Sequence, residues 1–196
     1  FITTLATMLA ASGSALLLAK NQSVSVSYES GFTELGQGDF FELPIPALIA
    51  AAFYIVASLV LNLTSSGRTV LAVGGNERAA RLCGMPVSTT KRWVYFISGI
   101  CAGIAGLVVI AINSSSDANL VGLGMELDAI AAVAVGGTSL SGGRASVLGT
   151  LMGALIIQLV RFTLLANGIP DAAALVVKAA IIVAAVWLQR QNGARA

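Results

Sequence analysis

The sequence predicts an all-α, polytopic transmembrane helical bundle of about six membrane segments, and three observations carry that prediction. Apolar residues make up 57% of the chain and charged residues 10%, against about a quarter charged in soluble domains. Five runs reach or approach the roughly 20 apolar residues that cross ~30 Å of hydrocarbon. They are Phe1 to Ala19, Pro44 to Leu63, Trp93 to Ile112, Ala145 to Ala166 and Ala172 to Leu188. The polar segments between the first three runs differ in sign. Lys20 to Leu43 carries Glu29, Glu34, Asp39 and Glu42 against one lysine. Leu63 to Trp93 carries Arg68, Arg78, Arg81, Lys91 and Arg92, five of the eleven cations, with Glu77 as its only acid. The excess of Lys and Arg on the inner side of membrane proteins makes the basic loop cytoplasmic and the acidic one external.

Several classes of function are set aside by composition. The net charge is +2, and the cations gather beside apolar runs rather than in a stripe with interleaved aromatics, so no nucleic-acid partner is expected. There is no histidine, and Cys83 and Cys101 lie in different kinds of segment, which argues against zinc, a His-based triad and a structural disulfide. The glycine-rich stretch Gly136 to Gly143 is followed by Arg144, and no G-x-x-x-x-G-K-[ST] pattern occurs, so any ATP is expected on a partner subunit and no cofactor in this chain. The chain opens at Phe1, inside an apolar run with no preceding lysine or arginine. It reads as a piece of something longer that starts within a transmembrane helix, rather than as a signal peptide.

Taken in order, Pro44 and Pro46 suit the start of the second span, where a missing amide hydrogen costs little, and Gly67 suits a stop just past its end. Within the basic loop, Asn76 can cap a short helix over Glu77 to Cys83, ended by Gly84 and Pro86. Ala79, Leu82 and Cys83 share one face; Glu77, Arg78 and Arg81 share the other, with Glu77 four residues before Arg81 for an ion pair. Isolated helices below ~12 residues are marginal in water, so this one is either a solvated connector or needs a surface to dock on. Ser88 would cap the third span, with Lys91 and Arg92 snorkelling to headgroups. Gly99, Gly103 and Gly106 in that span, and Gly149 and Gly153 in the next, permit close helix packing.

Asn113 to Val135 has two readings. Leu127 to Val135 is about 13 Å as a helix, too short to span. One reading is a broken element, an irregular polar lead-in and then a helix from near Glu126, whose first-turn acids suit the positive end of the helix dipole. The other is an ordinary span with its acids at the outer interface. Both carry the chain inwards, placing Gly136-Gly137-Thr138-Ser139-Leu140-Ser141-Gly142-Gly143-Arg144 in the cytoplasm with Arg190 and Arg195. Arg161 and Lys178 lie within apolar runs, explained by pairing with Asp171, or with Glu126 and Asp128, or by snorkelling.

Three stretches together resemble one family, the membrane permeases of bacterial ABC importers for pentoses and hexoses of the ribose, arabinose and galactose type. They are Ala72-Val73-Gly74-Gly75-Asn76-Glu77 with Ala79-Ala80 and Gly84, Glu126-Leu127-Asp128-Ala129-Ile130-Ala131, and Val135-Gly136 through Gly143-Arg144. The resemblance rests on the middle of the chain. It implies a multi-pass subunit of the bacterial inner membrane, residues 1–196 being part of a single permease domain that lacks the family's amino-terminal portion. It also implies two ATP-hydrolysing subunits, a second permease subunit and an external solute-binding protein as partners. The short helix then stands where such importers carry a coupling helix, with Asn76, Glu77, Arg78, Ala79, Ala80, Arg81 and Gly84 as its residues. Ala79, Ala80 and Gly84 keep the family's Glu-Ala-Ala, three residues, Gly spacing, while Glu77 stands one residue early and the later Leu-Pro is absent. Gly136, Gly137, Thr138, Ser141, Gly142, Gly143 and Arg144 form the second cytoplasmic loop.

The leading reading is therefore a transport subunit that performs no chemistry, is not an enzyme, and offers a passage lined by weak polar contacts, with Asn113, Ser114, Ser115 and Gln158 as candidates. Selectivity would reside largely in the external binding protein. The alternative is a secondary transporter or channel driven by an ion gradient, with Glu126, Asp128 and Lys178 as the relay. An intramembrane protease ranks last, because the Gly-x-Gly-Asp match at Gly36-Gln37-Gly38-Asp39 falls in the polar external loop.

Overall fold

The computed structural model describes residues 2–26, 31–40, 42–117, 121–122, 124–168 and positions 176, 179 and 180. Asp171, Lys178, Arg190, Arg195 and nearly all of the run Ala172 to Leu188 lie outside the described residues. The chain divides into two compact units, Phe1–Ala52 with Phe96–Leu123 and Phe53–Tyr95 with Gly124–Ala196. Among the described residues, three helices are long and apolar enough to cross a membrane: α3 (Ile45–Leu63), α6 (Val87–Asn113) and α8 (Val147–Ala166). The shorter apolar helix α1 (Ile2–Leu18) occupies the first expected run. Their large side chains, among them Phe53, Ile55, Phe96 and Phe162, face outwards, as suits helices whose solvent is lipid.

In the first unit, β1 (Val24–Ser25) pairs antiparallel with β4 (Ser115–Ser116), Val24 opposite Ser116. Between them in sequence come α2 (Glu34–Gln37) and a hairpin of β2 (Asp39–Phe40) with β3 (Leu43–Pro44). A Cβ on Gly36 would overlap the backbone of Ala111 and Ile112, so α2 lies directly on the end of α6. The Gln37 amide donates to Ile112 O at 3.1 Å and to Ser114 Oγ at 3.0 Å. It thereby holds Ser114, whose φ of 52° is unusual for a residue with a side chain. The Gly-x-Gly-Asp stretch is thus a clasp on the end of α6.

In the second unit, α3 stops at Leu63, and Thr64 does two jobs at the corner. Its hydroxyl donates to Val60 O at 2.6 Å and accepts from Gly67 N at 3.2 Å, closing one helix and capping the next. That next helix, α4 (Ser65–Gly75), stands where the sequence suggested a loop. Gly67 lies inside it rather than at a stop, because a Cβ there would meet the backbone of Val60 and Leu61. The helix α6 begins at Val87, so Ser88 sits in its first turn instead of capping it. At 27 residues, or about 40 Å, α6 is longer than the hydrocarbon core and carries Lys91 and Arg92 beyond the apolar run.

The broken reading of Asn113 to Val135 holds: α6 ends at Asn113, and α7 (Met125–Val135) starts after Gly122 and Gly124, with φ of 86° and 80°. The helix α7 runs antiparallel to α8. A Cβ on Gly153 would strike Ala132 O, and Gly136 and Gly149 each leave no room for a Cβ on the other. Ala131, Ala132, Ala134 and Ile157 are buried along this seam. The expected close packing is found at Gly149 and Gly153, with α7 as the partner. Among the described residues, nothing lies within 4 Å of a Cβ added at Gly99, Gly103 or Gly106 on α6.

Candidate functional site

The site is built around α5 (Glu77–Leu82), one residue shorter at its end than expected, with Cys83 as its C-cap. Asn76 ends α4 by donating its N–H to Ala72 O and starts α5 by accepting Ala79 N at Oδ1, 3.0 Å. The far end closes with two bonds that satisfy carbonyls left over by the helix: Gly84 N donates to Arg81 O and Met85 N to Ala80 O, at 3.1 and 3.0 Å. That geometry needs a left-handed residue at the turn, and Gly84 supplies it with φ 75°.

A helix this short is stabilised by its own chain. Ala80 is 5% exposed and packs with Val73 of α4 and Val87 of α6, with Met85 beside them. Ala80, expected among the residues presented to a partner, therefore points inwards. Ala79, Leu82 and Cys83 are exposed, Leu82 at 90%, and an open groove of about 700 Å³ is lined by Asn76, Glu77, Arg78, Arg81 and Leu82.

Electrostatics fasten the helix as well. Arg81 approaches Glu77 at 3.4 Å, the expected i,i+4 pair, and Lys91 of α6 donates to the other Glu77 oxygen at 2.6 Å. Lys91 thus engages Glu77, where snorkelling was expected. The Lys91 hydrogen bond and charge, with a smaller contribution from the Arg81 charge, hold the Glu77 carboxyl below its ordinary value of 4.5. A depressed carboxyl stabilises the folded arrangement above its unfolded pKa and loses that contribution as pH falls through the folded value. Amide exchange over residues 77–85, corrected for intrinsic rates, is accordingly expected to be flat from pH 8 to 5. It should speed up below about 4.5, with high salt producing part of the same effect at neutral pH.

The two segments expected in the cytoplasm meet. Gly142 and Gly143, with φ of 90° and 81°, lie against Gly74 and Gly75 at the end of α4. A Cβ on Gly143 would be 2.8 Å from Gly75 Cα, and one on Gly74 would be 3.3 Å from Gly143 N. Four glycines thus bring two backbones into contact, which requires both segments to share one side, as the counted spans do. Ser139 N donates to Arg144 O and Gly142 N to Ser139 O, curling the loop, and Gly137 turns it with φ 77°. Thr138 Oγ1 accepts from Ser146 N at 3.1 Å and meets Thr150 Oγ1 at 3.2 Å, pinning the loop to the start of α8. Ser141 and Arg144 are exposed.

The four residues expected to line a passage fall in different units. Asn113 bonds back to Val109 O, Ser114 is buried under Gln37, and Ser115 belongs to the β1–β4 pair. Gln158 lines a separate cavity of about 300 Å³ in the second unit, with Tyr54, Asp128, Ala129, Ala132, Val133, Thr150, Ala154 and Ile157. Sequence reasoning missed Val73, Met85 and Val87 as the backing of α5, and Gly74-Gly75 as the seat of the second loop. The repeated Gly-Gly pairs were the available signal.

Comparison with known proteins covers more of the chain than those three stretches. A family described as branched-chain amino acid transport system / permease component matches residues 1–186. The ribose import permease protein RbsC of Bacillus subtilis is 37% identical over 195 residues, 99% of this chain and 60% of the relative. The L-arabinose transport system permease protein AraH of Escherichia coli is 39% identical over 96% of this chain and 57% of the relative. The galactofuranose transporter permease protein YtfT of the same organism is 39% identical over 98% and 56%. The chain thus spans rather under two thirds of the length of the curated relatives it matches. No solved structure matches it.

Proposed function

Because the chain belongs to the branched-chain amino acid transport system / permease component family of polytopic helical membrane proteins, we propose that it is part of the transmembrane subunit of an ATP-driven importer for monosaccharides. The family description names amino acids, but the relatives matching nearly the whole chain at 37–39% identity are named for ribose, L-arabinose and galactofuranose. That favours sugars. In this reading the subunit sits in a bacterial inner membrane beside a second permease subunit, receives solute from an external binding protein, and is driven by ATP bound on separate subunits.

One observation carries the coupling role: α5 is held rigidly at both ends and along its inner face while its outer face is left uncovered. Asn76, Gly84 and Met85 close the ends, Ala80 anchors the inside, and Leu82 stands 90% exposed beside Arg78. A helix so fixed transmits a push instead of absorbing it. An ATPase docking on Ala79, Leu82, Cys83 and Arg78 would move α4 and α6 through Ala80 and Glu77, and the second loop through Gly74 and Gly75.

The test is the energy source for uptake by the full-length subunit. Uptake that stops when ATP is depleted and survives an uncoupler is the expected result. Uptake that collapses with the uncoupler while ATP stays high overturns the proposal in favour of an ion-driven carrier.

A further inference from the structure

Polar side chains inside membrane-spanning segments are costly unless they face one another, water or a passing solute. In the second unit, four polar side chains from three helices border one cavity, three of them on the spanning helices: Tyr54 from α3, Thr150 and Gln158 from α8, and Asp128 from the shorter α7. The seam between α7 and α8 explains why they meet. The two helices run antiparallel with Gly136 beside Gly149 and Ala132 beside Gly153. Moving one turn further along each helix brings Asp128 level with Ile157 and Gln158. Thr150 lies two turns back along α8, about 12 Å from Gln158 at 1.5 Å per residue.

The rest of the lining is small and apolar, with Ala129, Ala132 and Ala154 forming much of it. Backbone contact at Gly153 sets the spacing of α7 and α8. Closer approach is blocked there, so the space beside it stays open. Its volume of about 300 Å³ stands at the low end of the ~300–1,000 Å³ seen for small-molecule sites. A compact solute fits it better than an extended one.

We infer that this cavity is a solute-contact site of the permease itself, taking a neutral polyhydroxylated molecule of monosaccharide size. This rests on the importer reading above, and differs from the expectation that discrimination lies with the external protein. A carboxyl oxygen accepts a hydrogen bond from a hydroxyl, while a carboxamide both donates and accepts. Asp128 and Gln158 therefore complement adjacent hydroxyls that donate and accept in turn, and the Tyr54 ring offers an apolar face to C–H groups. Among the described residues no lysine or arginine lines the cavity, which disfavours an anionic solute, and Asp128 is the single acid among them, which is too few for a divalent cation's six or more oxygen ligands. Thr150 belongs both to this lining and, through Thr138, to the loop seated on Gly74 and Gly75. Movement of that loop thus reaches the cavity wall.

The experiment uses the full-length subunit with its ATPase and binding protein in proteoliposomes, Cys83 and Cys101 replaced by serine and Gln158→Cys introduced. Labelling of that cysteine by a water-soluble thiosulfonate is expected to slow at least threefold in millimolar D-ribose, L-arabinose or D-galactose, but not in equimolar sodium or potassium chloride. In a separate preparation, Asp128→Asn is expected to raise the KM for uptake about tenfold. Labelling unaffected by any sugar, protection by the cation instead, or an unchanged KM in Asp128→Asn overturns the proposal. A failure of the importer reading looks different, since the parent protein would then take up sugar without ATP. Should Asp128→Asn not accumulate, the labelling result decides alone.

Discussion

Valine in place of Gly153 is expected to lower the amount of folded protein in the membrane about tenfold or more, with alanine at the same position giving a smaller loss in the same direction. The reason is what the new side chain meets. A Cβ at Gly153 would strike Ala132 O and lie 2.9 Å from Gly136 N, and these are backbone atoms that no rotamer change can move. Helices in lipid associate by packing, without a hydrophobic force between them to offset a gap. Forcing α7 and α8 apart therefore forfeits much of what joins them. Overpacking costs about 1–3 kcal/mol in ordinary cores, and a collision with fixed backbone belongs at or above the upper end. Detergent-solubilised protein followed by fluorescence-detected size exclusion with heating measures the loss. Parental melting behaviour in Gly153→Val would show that the two helices do not meet there.

Glutamate in place of Leu82 is expected to act in the opposite way, leaving the protein folded and removing its drive. Leu82 is 90% exposed within this chain, and surface substitutions away from special features usually change stability by less than about 0.5 kcal/mol. If an ATPase covers α5, the same position becomes buried against it. An unpaired carboxylate there, facing desolvation, costs the complex at least about 2 kcal/mol, or roughly thirtyfold in affinity. Reconstituted Leu82→Glu should therefore insert at parental levels, yet lose most ATP-driven uptake and most stimulation of the ATPase. Normal uptake and stimulation would leave α5 without a docking role. Ala80 is the less informative position for this purpose. It is packed against Val73 and Val87, so enlarging it disturbs the seat of α5 and confounds folding with contact.

The spans were legible because each is a statement about solvent made locally. The runs from Phe1, Pro44, Trp93 and Ala145 became α1, α3, α6 and α8, with ends displaced by a few residues. The displaced ends have particular causes: α6 extends back to Val87 because Pro86 and the residues after it continue straight into the helix, and α3 ends at a corner capped by Thr64. The caps of α5 were legible for the same local reason, since Asn76 and Gly84 act within a few residues of themselves. In contrast, α4 escaped notice. Its Gly67, Gly74 and Gly75 carry poor intrinsic helix propensity, yet each lies in close approach to another stretch of backbone. Local preference and tertiary need disagree there, and packing wins.

Sequence by itself determined that this is a membrane protein, where its main helices run, which of its loops is basic, and that a capped two-turn helix stands in that loop. Those properties follow from transfer to lipid and from bonds between near neighbours, which a one-dimensional string records. The tertiary structure alone decided which backbones touch. Glycines on α6 and on α8 have the same spacing, but among the described residues only those on α8 meet a neighbour, and that neighbour is α7. It also decided that Gly142 and Gly143 rest on Gly74 and Gly75, that Ala80 faces inwards, and that Tyr54, Asp128 and Gln158 share a cavity. These are choices between surfaces of similar composition, settled by shape at the distance of a van der Waals contact.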